Sequence, residues 1–140
     1  MANKYYTSDG QAYTQQQIRT KYSQEKNWWR TKGICEAYGF PKVAHDPDHT
    51  IAQARCKVLH KVELIWSEAN ISWSCREAHQ EWESYKSGKF SHHKNAYQRM
   101  VFVAMHDEEV FKKRFYCITN EDLKKKLEPL FKEMTSESSI

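Results

Sequence analysis

Four polar side chains in the middle of the chain have the chemistry that metal-assisted hydrolysis requires. Asp48 and His49 are adjacent, Asn70 follows His49 by 21 positions (70 − 49), and His79 follows Asn70 by 9 (79 − 70). Carboxylate and amide oxygens are the hard ligands that Mg²⁺ prefers. A histidine with a pKa of about 6.5 can accept a proton near neutral pH. Together such residues could hold a metal ion and activate a water molecule.

Each of these residues also has a purely structural interpretation. Asp48 follows Pro47 and can be a turn residue, and Asn70 can cap or turn the backbone. His49 and His79 can be half-buried histidines that make ordinary hydrogen bonds. Taken one at a time, the structural interpretations are the commoner ones, but the ordered set favours a site.

The local pattern predicts the elements that would position these side chains. Asp46-Pro47-Asp48 predicts a turn between short strands at 42–45 and 49–52, which places Asp48-His49 on a hairpin. A helix is predicted at 78–86, ended by Ser87-Gly88, and His79 lies in its first turn. Further helices are predicted at 15–26 with Thr14 as cap, at 95–106, at 108–116 after Asp107, and at 121–132 after Asn120, where Pro129 kinks or ends the last one.

The order and spacing of these residues resemble the His-Asn-His (HNH) endonucleases, in particular phage-encoded members. The resemblance covers roughly residues 35–88, and it rests on Asp48-His49-Thr50-Ile51, Asn70-Ile71 and Cys75-Arg76-Glu77-Ala78-His79. It implies an α+β, mostly helical fold with a central ββα-metal motif, a β-hairpin plus a helix, flanked by N-terminal and C-terminal helices. It also implies a metal-dependent endonuclease that hydrolyses phosphodiester bonds in DNA.

The resemblance assigns a role to each residue of the set. His49 would be the general base, with Asn70 and His79 also in the catalytic group. Asp48, Asn70 and His79 would bind a divalent metal, Mg²⁺ or Mn²⁺, although the last histidine contacts the scissile phosphate in some relatives. Glu83 lies four residues after His79, so it is either a further ligand, as in some bacterial-toxin relatives, or a solvated partner of Lys86.

The cysteines depart from the pattern of this family. Many relatives hold a structural zinc with two C-x-x-C pairs, but here Tyr38 and Ala78 stand where the second cysteines would follow Cys35 and Cys75. Two thiolates cannot complete a tetrahedral zinc site. We therefore expect that the zinc is lost and that the Tyr38 ring packs beside Ala78.

The net charge of +4 is compatible with a nucleic-acid partner without proving one. Basic residues after the motif helix could track DNA phosphates or belong to a solvated linker; they are Lys86, Lys89, Lys94 and Arg99. Lys112-Lys113-Arg114 and Lys124-Lys125-Lys126 are predicted to be solvated helix faces. Trp28-Trp29 could stack on unpaired bases, although core packing is the preferred interpretation.

A chain of 140 residues fits one compact domain, with an N-terminal helical extension at 1–34, the nuclease core at 35–90 and a C-terminal helical region at 91–140. No apolar run approaches the roughly 20 residues of a membrane helix, and the start lacks a secretory signal, so we expect a cytoplasmic, intracellular protein without a membrane partner. A monomer would nick DNA, whereas a homodimer could cut both strands.

Two other interpretations remain open at this point. The chain could be a non-catalytic DNA- or protein-binding module on a degenerate HNH scaffold, because half of the expected cysteines are missing. It could also be a small helical interaction protein in which the motif arises by coincidence.

Overall fold

A computed structural model describes residues 3–29 and 33–138, and the side chains at 27–29 and 136–138 fall outside that description. The fold is α+β and mostly helical, with two small antiparallel sheets. The elements in order are β1 Lys4–Tyr6, β2 Ala12–Thr14, α1 Gln15–Trp29, β3 Asp46–His49, α2 Gln53–Val58, β4 Ile71–Ser74, α3 Arg76–Glu83, α4 Ala96–His106, α5 Glu108–Phe115 and α6 Glu121–Ser138. The base-stacking role considered for Trp28 and Trp29 concerns side chains outside the described residues.

The N-terminal segment forms a hairpin that leads directly into the first helix. Strands β1 and β2 pair with Lys4 opposite Thr14, and the turn between them contains Gly10 at a φ of 90°. Thr14 accepts a hydrogen bond from the Gln17 N–H (3.2 Å), while the Gln17 side chain accepts one from the Thr14 N–H (2.8 Å). This reciprocal pair caps α1 and confirms the predicted start of that helix.

The second sheet corrects the predicted local hairpin at 42–52. The expected turn residues Asp46-Pro47-Asp48 lie in β3, and this strand pairs with the distant β4. The Thr50 N–H donates to the Asn70 carbonyl (2.7 Å), and the His45 N–H donates to the Ser74 carbonyl (2.9 Å). The prediction was wrong because it followed local turn propensity, whereas the pairing is set by residues more than twenty positions away.

Contacts divide the chain into two interleaved units. The first comprises Met1–Lys32 and His49–Ser72, and the second comprises Gly33–Asp48 and Trp73–Ile140. Both boundaries fall inside the paired strands β3 and β4.

The first unit has a small core beneath α1, α2 and a 3₁₀ segment at Val62–Trp66. Its buried apolar side chains are Ile18, Ile51, Cys56, Val62, Leu64 and Ile65. Short polar segments in this unit are therefore folded around a few aliphatic residues, and burying these residues provides the main driving force for ordering them.

The second unit buries a larger core among α3 to α6. Its largest fully buried apolar side chains are Trp82, Phe90, Met100, Val103, Phe111 and Leu127. Asp107 caps α5 through the Val110 N–H (3.3 Å), and Asn120 caps α6 through the N–H groups of Asp122 and Leu123 (3.0 and 3.2 Å). Both caps were predicted and are confirmed.

Helix α6 continues through Pro129 to Ser138, so of the two effects predicted for this proline, a kink or an early end, the early end is wrong. In the first turns of α6, Lys124, Lys125 and Lys126 are exposed, whereas Leu123 and Leu127 are buried. None of the helices within 3–29 and 33–138 is long and apolar enough to cross a membrane.

Candidate metal centre

Strand β3 and helix α3 of the second unit bring three possible metal ligands together. Asp48 belongs to β3, while His79 and Glu83 are one turn apart on the same face of α3. One ligand atom from each of the three lies within 4.8 Å of the others. His79 Nε2 is 2.8 Å from Glu83 Oε1 and 3.6 Å from Asp48 Oδ1.

The His79 ring is oriented by a fourth side chain, Asp46. Asp46 Oδ2 lies 3.2 Å from His79 Nδ1. A carboxylate can only accept, so Nδ1 carries a proton and Nε2 is the nitrogen directed at Asp48 and Glu83. An outer carboxylate that fixes the tautomer of a metal-binding histidine is a common arrangement in metal sites.

The electrostatics of this cluster favour a cation at Nε2. Burial opposes a charge on the His79 ring, but the carboxylates of Asp48, Asp46 and Glu83 outweigh burial and raise the pKa of His79. Protonation of the ring is the simplest way to place such a cation there. A divalent ion binding there would displace that proton, as metal binding to histidine generally does.

Asp48 is almost fully buried and forms an ion pair with Arg99. Arg99 Nη1 donates to Asp48 Oδ2 (3.0 Å) and Nη2 to the Asp48 carbonyl (3.4 Å). Burial raises the pKa of Asp48, and the charges of Arg99 and His79 oppose that rise. The sequence placed Arg99 among the DNA contacts, and this placement is corrected because its side chain is only 4% exposed.

The Trp82 ring of α3 lies between two guanidinium groups. Arg99 Cζ is 3.9 Å and Arg114 Cζ 3.8 Å from the ring centroid, so the two groups must occupy opposite faces. Arg114 Nη1 also donates to the Trp82 carbonyl (2.8 Å), and burial lowers the pKa of Arg114 to about 9. Arg114 was expected on a solvated helix face, and its burial corrects that expectation.

The centre thus consists of three possible ligands supported by Asp46 and Arg99. Comparison of the chain with protein-family models, curated proteins and solved structures finds no match. Reasoning from the sequence named Asp48, His79 and Glu83 but missed Asp46, which it assigned to a turn. Residues two apart on a strand share a face, so recognising β3 would have placed Asp46 beside Asp48.

His49, the predicted general base, belongs to the first unit and has a defined ring orientation. Its Nε2 lies 2.9 Å from the Ile65 carbonyl, and its ring packs against Tyr22 at a centroid distance of 5.5 Å. Because a carbonyl only accepts, Nε2 must carry the proton. In the neutral ring, Nδ1 is therefore the nitrogen with the lone pair that can accept a proton.

Asn70, predicted as a catalytic residue and a metal ligand, is fully buried in the first unit. Its Oδ1 accepts from the Ile51 N–H (2.7 Å), and its Nδ2 donates to the carbonyls of Ile51 and Leu64 (both 3.0 Å). These bonds tie together the ends of the segment between β3 and β4. We therefore give Asn70 a positioning role and leave it out of the ligand set.

The other predicted site residues have simple placements. Glu83 contacts His79, so of its two interpretations the structure favours the one that places it at the candidate centre. The predicted DNA contacts Lys86, Lys89 and Lys94 are all exposed.

Cys35 and Cys75, where we expected a lost zinc site, belong to a small apolar cluster. Cys35, Ala37, Cys75 and Ala78 are buried together, and Tyr38 packs against them as the sequence predicted. The Cys75 N–H donates to Cys35 Sγ (3.3 Å), and burial raises the pKa of the Cys75 thiol. The Tyr38 hydroxyl donates to Glu81, which also accepts from His93 Nε2 (2.8 Å).

Proposed function

We propose that this chain is a metal-dependent DNA endonuclease of the HNH type, with β3, β4 and α3 as its ββα-metal motif. The observation that carries the proposal is the convergence of Asp48, His79 and Glu83, with their ligand atoms within 4.8 Å of one another. The carboxylate of Asp46 at Nδ1 of the His79 ring supports it, because a metal-binding histidine usually donates its other ring N–H to such a partner.

The donor set fits a divalent ion such as Mn²⁺ or Mg²⁺, since it offers one imidazole nitrogen and two carboxylates. Such an ion, when bound, would stabilise charge on the phosphate and on the leaving oxygen. Asp48 and Glu83 would each supply oxygen ligands, and His79 would supply Nε2. Asp46 would keep the His79 ring in the tautomer that this binding requires.

In this proposal His49 is the general base, a role that rests on the resemblance to HNH endonucleases and on the tautomer of its ring. The Ile65 carbonyl holds the proton on Nε2. In the neutral ring Nδ1 then carries the lone pair, and it is the atom that would take a proton from the attacking water. Asp48 and His49 are consecutive residues of β3, so their Cα atoms are about 3.8 Å apart. The proposed metal ligand and the proposed base are therefore neighbours in the chain.

DNA is the proposed substrate because exposed lysines follow the α3 helix in the same unit as the ligands. Lys86, Lys89 and Lys94 can neutralise phosphates, a contact that carries little sequence information. One such centre hydrolyses one strand, so a monomer would produce nicks.

The proposal is tested by incubating supercoiled plasmid with the native chain and Mg²⁺ or Mn²⁺. We expect conversion to the open circle, inhibition by EDTA, and a loss of about 10²- to 10⁴-fold in rate for His49→Ala, which removes the base. His79→Ala should also abolish nicking by removing a ligand. His60→Asn, at an exposed histidine of the same unit as His49, is the matched control and should nick at the native rate.

Nicking that survives in His49→Ala would contradict the assignment of the base. Salt-dependent DNA binding by the native chain without any metal-dependent cleavage would favour the alternative function, a binding module on a degenerate scaffold.

A further inference from the structure

The two carboxylate oxygens of Asp48 face different partners. Oδ2 accepts a hydrogen bond from Arg99 Nη1 (3.0 Å), whereas Oδ1 faces His79 Nε2 at 3.6 Å. The second Arg99 nitrogen reaches the Asp48 carbonyl, so the guanidinium fixes both the side chain and the backbone of this residue. Rotation of the carboxylate to offer both oxygens to one ion would break the bond to Arg99.

Arg99 is itself held in place by the core. Its side chain comes from α4, is 4% exposed, and places Cζ 3.9 Å from the centroid of the Trp82 ring of α3. Arg114 of α5 occupies the other face of the same ring. Planar guanidinium groups stack on aromatic rings in a way that a lysine ammonium cannot reproduce. The side chains of Arg114, Trp82 and Arg99 are thus stacked on one another, and the last of them binds Asp48.

We propose that Arg99 is a positioning residue of the metal centre, which restricts Asp48 to one ligand oxygen and thereby makes the centre prefer Mn²⁺ to Ca²⁺. This inference rests on the proposed metal centre and adds the residue that governs its ion preference. Ca²⁺ takes six to eight oxygen ligands, often from bidentate carboxylates. A centre with one imidazole and a carboxylate limited to one oxygen suits Mn²⁺ better.

The charges of the side chains at the centre also favour Mn²⁺ over Ca²⁺. Asp48 and Glu83 are the two acidic ligands, and the guanidinium of Arg99 offsets one of their charges. Sites for Ca²⁺ usually rely on several uncompensated carboxylates, because that ion gains little from nitrogen ligands. Arg99 therefore acts on both the geometry and the charge of the centre, although it does not itself contact the ion.

The test is calorimetric titration of the full-length chain with MnCl₂ and, separately, with CaCl₂. We expect one Mn²⁺ per native chain and a weaker Kd for Ca²⁺. Arg99→Lys keeps the buried positive charge but loses the planar fork, and we expect it to weaken Mn²⁺ binding about 10- to 100-fold. Its Ca²⁺ affinity should change much less, so the Mn²⁺/Ca²⁺ preference should fall by about tenfold or more. Lys125→Gln, at an exposed position of α6, is the control and should keep the native preference.

Circular dichroism establishes whether each variant is folded. Should Arg99→Lys fail to fold, Trp82→Phe is the second variant. It keeps the Arg99–Asp48 ion pair but reduces the aromatic surface on which Arg99 stacks, so the Mn²⁺/Ca²⁺ preference should again fall. A folded variant in which the Mn²⁺/Ca²⁺ preference equals that of the native chain overturns the positioning role. Failure of the native chain itself to bind Mn²⁺ would instead refute the proposed metal centre, and with it this inference.

Discussion

At the scale of single residues, side chains of the same type have quite different surroundings in this protein. His79 is surrounded by carboxylates, whereas His93 lies in the core with 5% of its surface exposed. Burial lowers the pKa of His93, and the nearby carboxylates, chiefly that of Glu81, only partly offset that effect. His93 Nδ1 has no hydrogen-bond partner within the described residues, so a second proton on the ring would be unsatisfied.

The lowered pKa of His93 predicts a loss of stability in mild acid. Above a pH of about 6.5 the ring is neutral in both folded and unfolded chains. Below that pH the unfolded chain binds a proton that the folded chain resists, so the free energy of unfolding falls until the pH reaches the folded pKa. The charged groups that act on the ring are Glu81 of α3, Arg99 of α4 and Asp48 of β3, and the Tyr38 ring packs against it.

Urea unfolding of the native chain and of His93→Gln, at pH 7.5 and pH 5.5, measures this effect. The glutamine amide can still donate to Glu81 but does not titrate, so the variant should lose less stability between the two pH values. His79 works in the opposite direction, because its raised pKa adds stability as the pH falls, but it is present in both proteins and cancels in the difference. Equal losses in the two proteins would show that His93 does not titrate as we expect.

Residue types and spacing in the sequence were sufficient to single out Asp48 and His79 as possible ligands, whereas Glu83 was left with two interpretations. They were not sufficient for Arg99, Asp46 and Arg114. A basic residue among lysines resembles a phosphate contact, and whether it is buried depends on helices that pack against it from elsewhere in the chain. Asn70 was found, but its role was not, because the partners of an amide are decided by the backbone folded around it.

At the scale of elements, the helices were largely predictable and the strands were not. Caps at Thr14, Asp107 and Asn120 are local signals, and they mark the starts of α1, α5 and α6 correctly. The pairing of β3 with β4 joins segments separated by α2 and two 3₁₀ segments. A pattern of neighbouring residues cannot reveal that pairing. The local pattern therefore predicted a tight hairpin, whereas the chain forms α2 and two 3₁₀ segments before it returns as β4.

Gly88 lies between two 3₁₀ segments after α3, and its surroundings lead to a prediction about how these segments are connected. Its φ is 79°, and an added Cβ would lie 2.6 Å from the Cys117 carbonyl oxygen and 2.5 Å from Thr119 Cγ2. Gly88→Ala should therefore lower the free energy of unfolding by about 1–2 kcal/mol because alanine disfavours the left-handed backbone. A clash between its Cβ and these atoms should lower it further. Gly10 has a φ of 90° and open space around it, so Gly10→Ala isolates the backbone cost.

Equilibrium denaturation of the two variants should thus give a clearly larger loss for Gly88→Ala. Equal losses would mean that the segment at 117–119 can move away without cost.

At the scale of the whole molecule, the proposed ion should act as a stabilising ligand. An ion that binds only the folded chain adds about 2.7 kcal/mol at a concentration of 100 times Kd. For a chain of this length, that free energy corresponds to a rise of several degrees in Tm.

Thermal unfolding with Mn²⁺ and then with excess EDTA should show this rise and its reversal. His79→Ala should remove the response, and Glu121→Gln, at an exposed acidic residue of α6, should retain it. A rise of the same size in His79→Ala would locate the ion somewhere other than the proposed centre.

The buried pair of Arg99 and Asp48 also bears on how this centre could be transplanted into another scaffold. The two residues are 51 positions apart, and Arg99 lies beyond the stretch of roughly 35–88 that resembles the endonuclease motif. A cassette excised at those limits would carry every proposed ligand but leave the Asp48 carboxylate buried without its counter-charge. Removing one member of a buried pair typically costs about 3–5 kcal/mol. The shortest segment that could carry this centre into another protein is therefore longer than the stretch of roughly 35–88, and it must include helix α4.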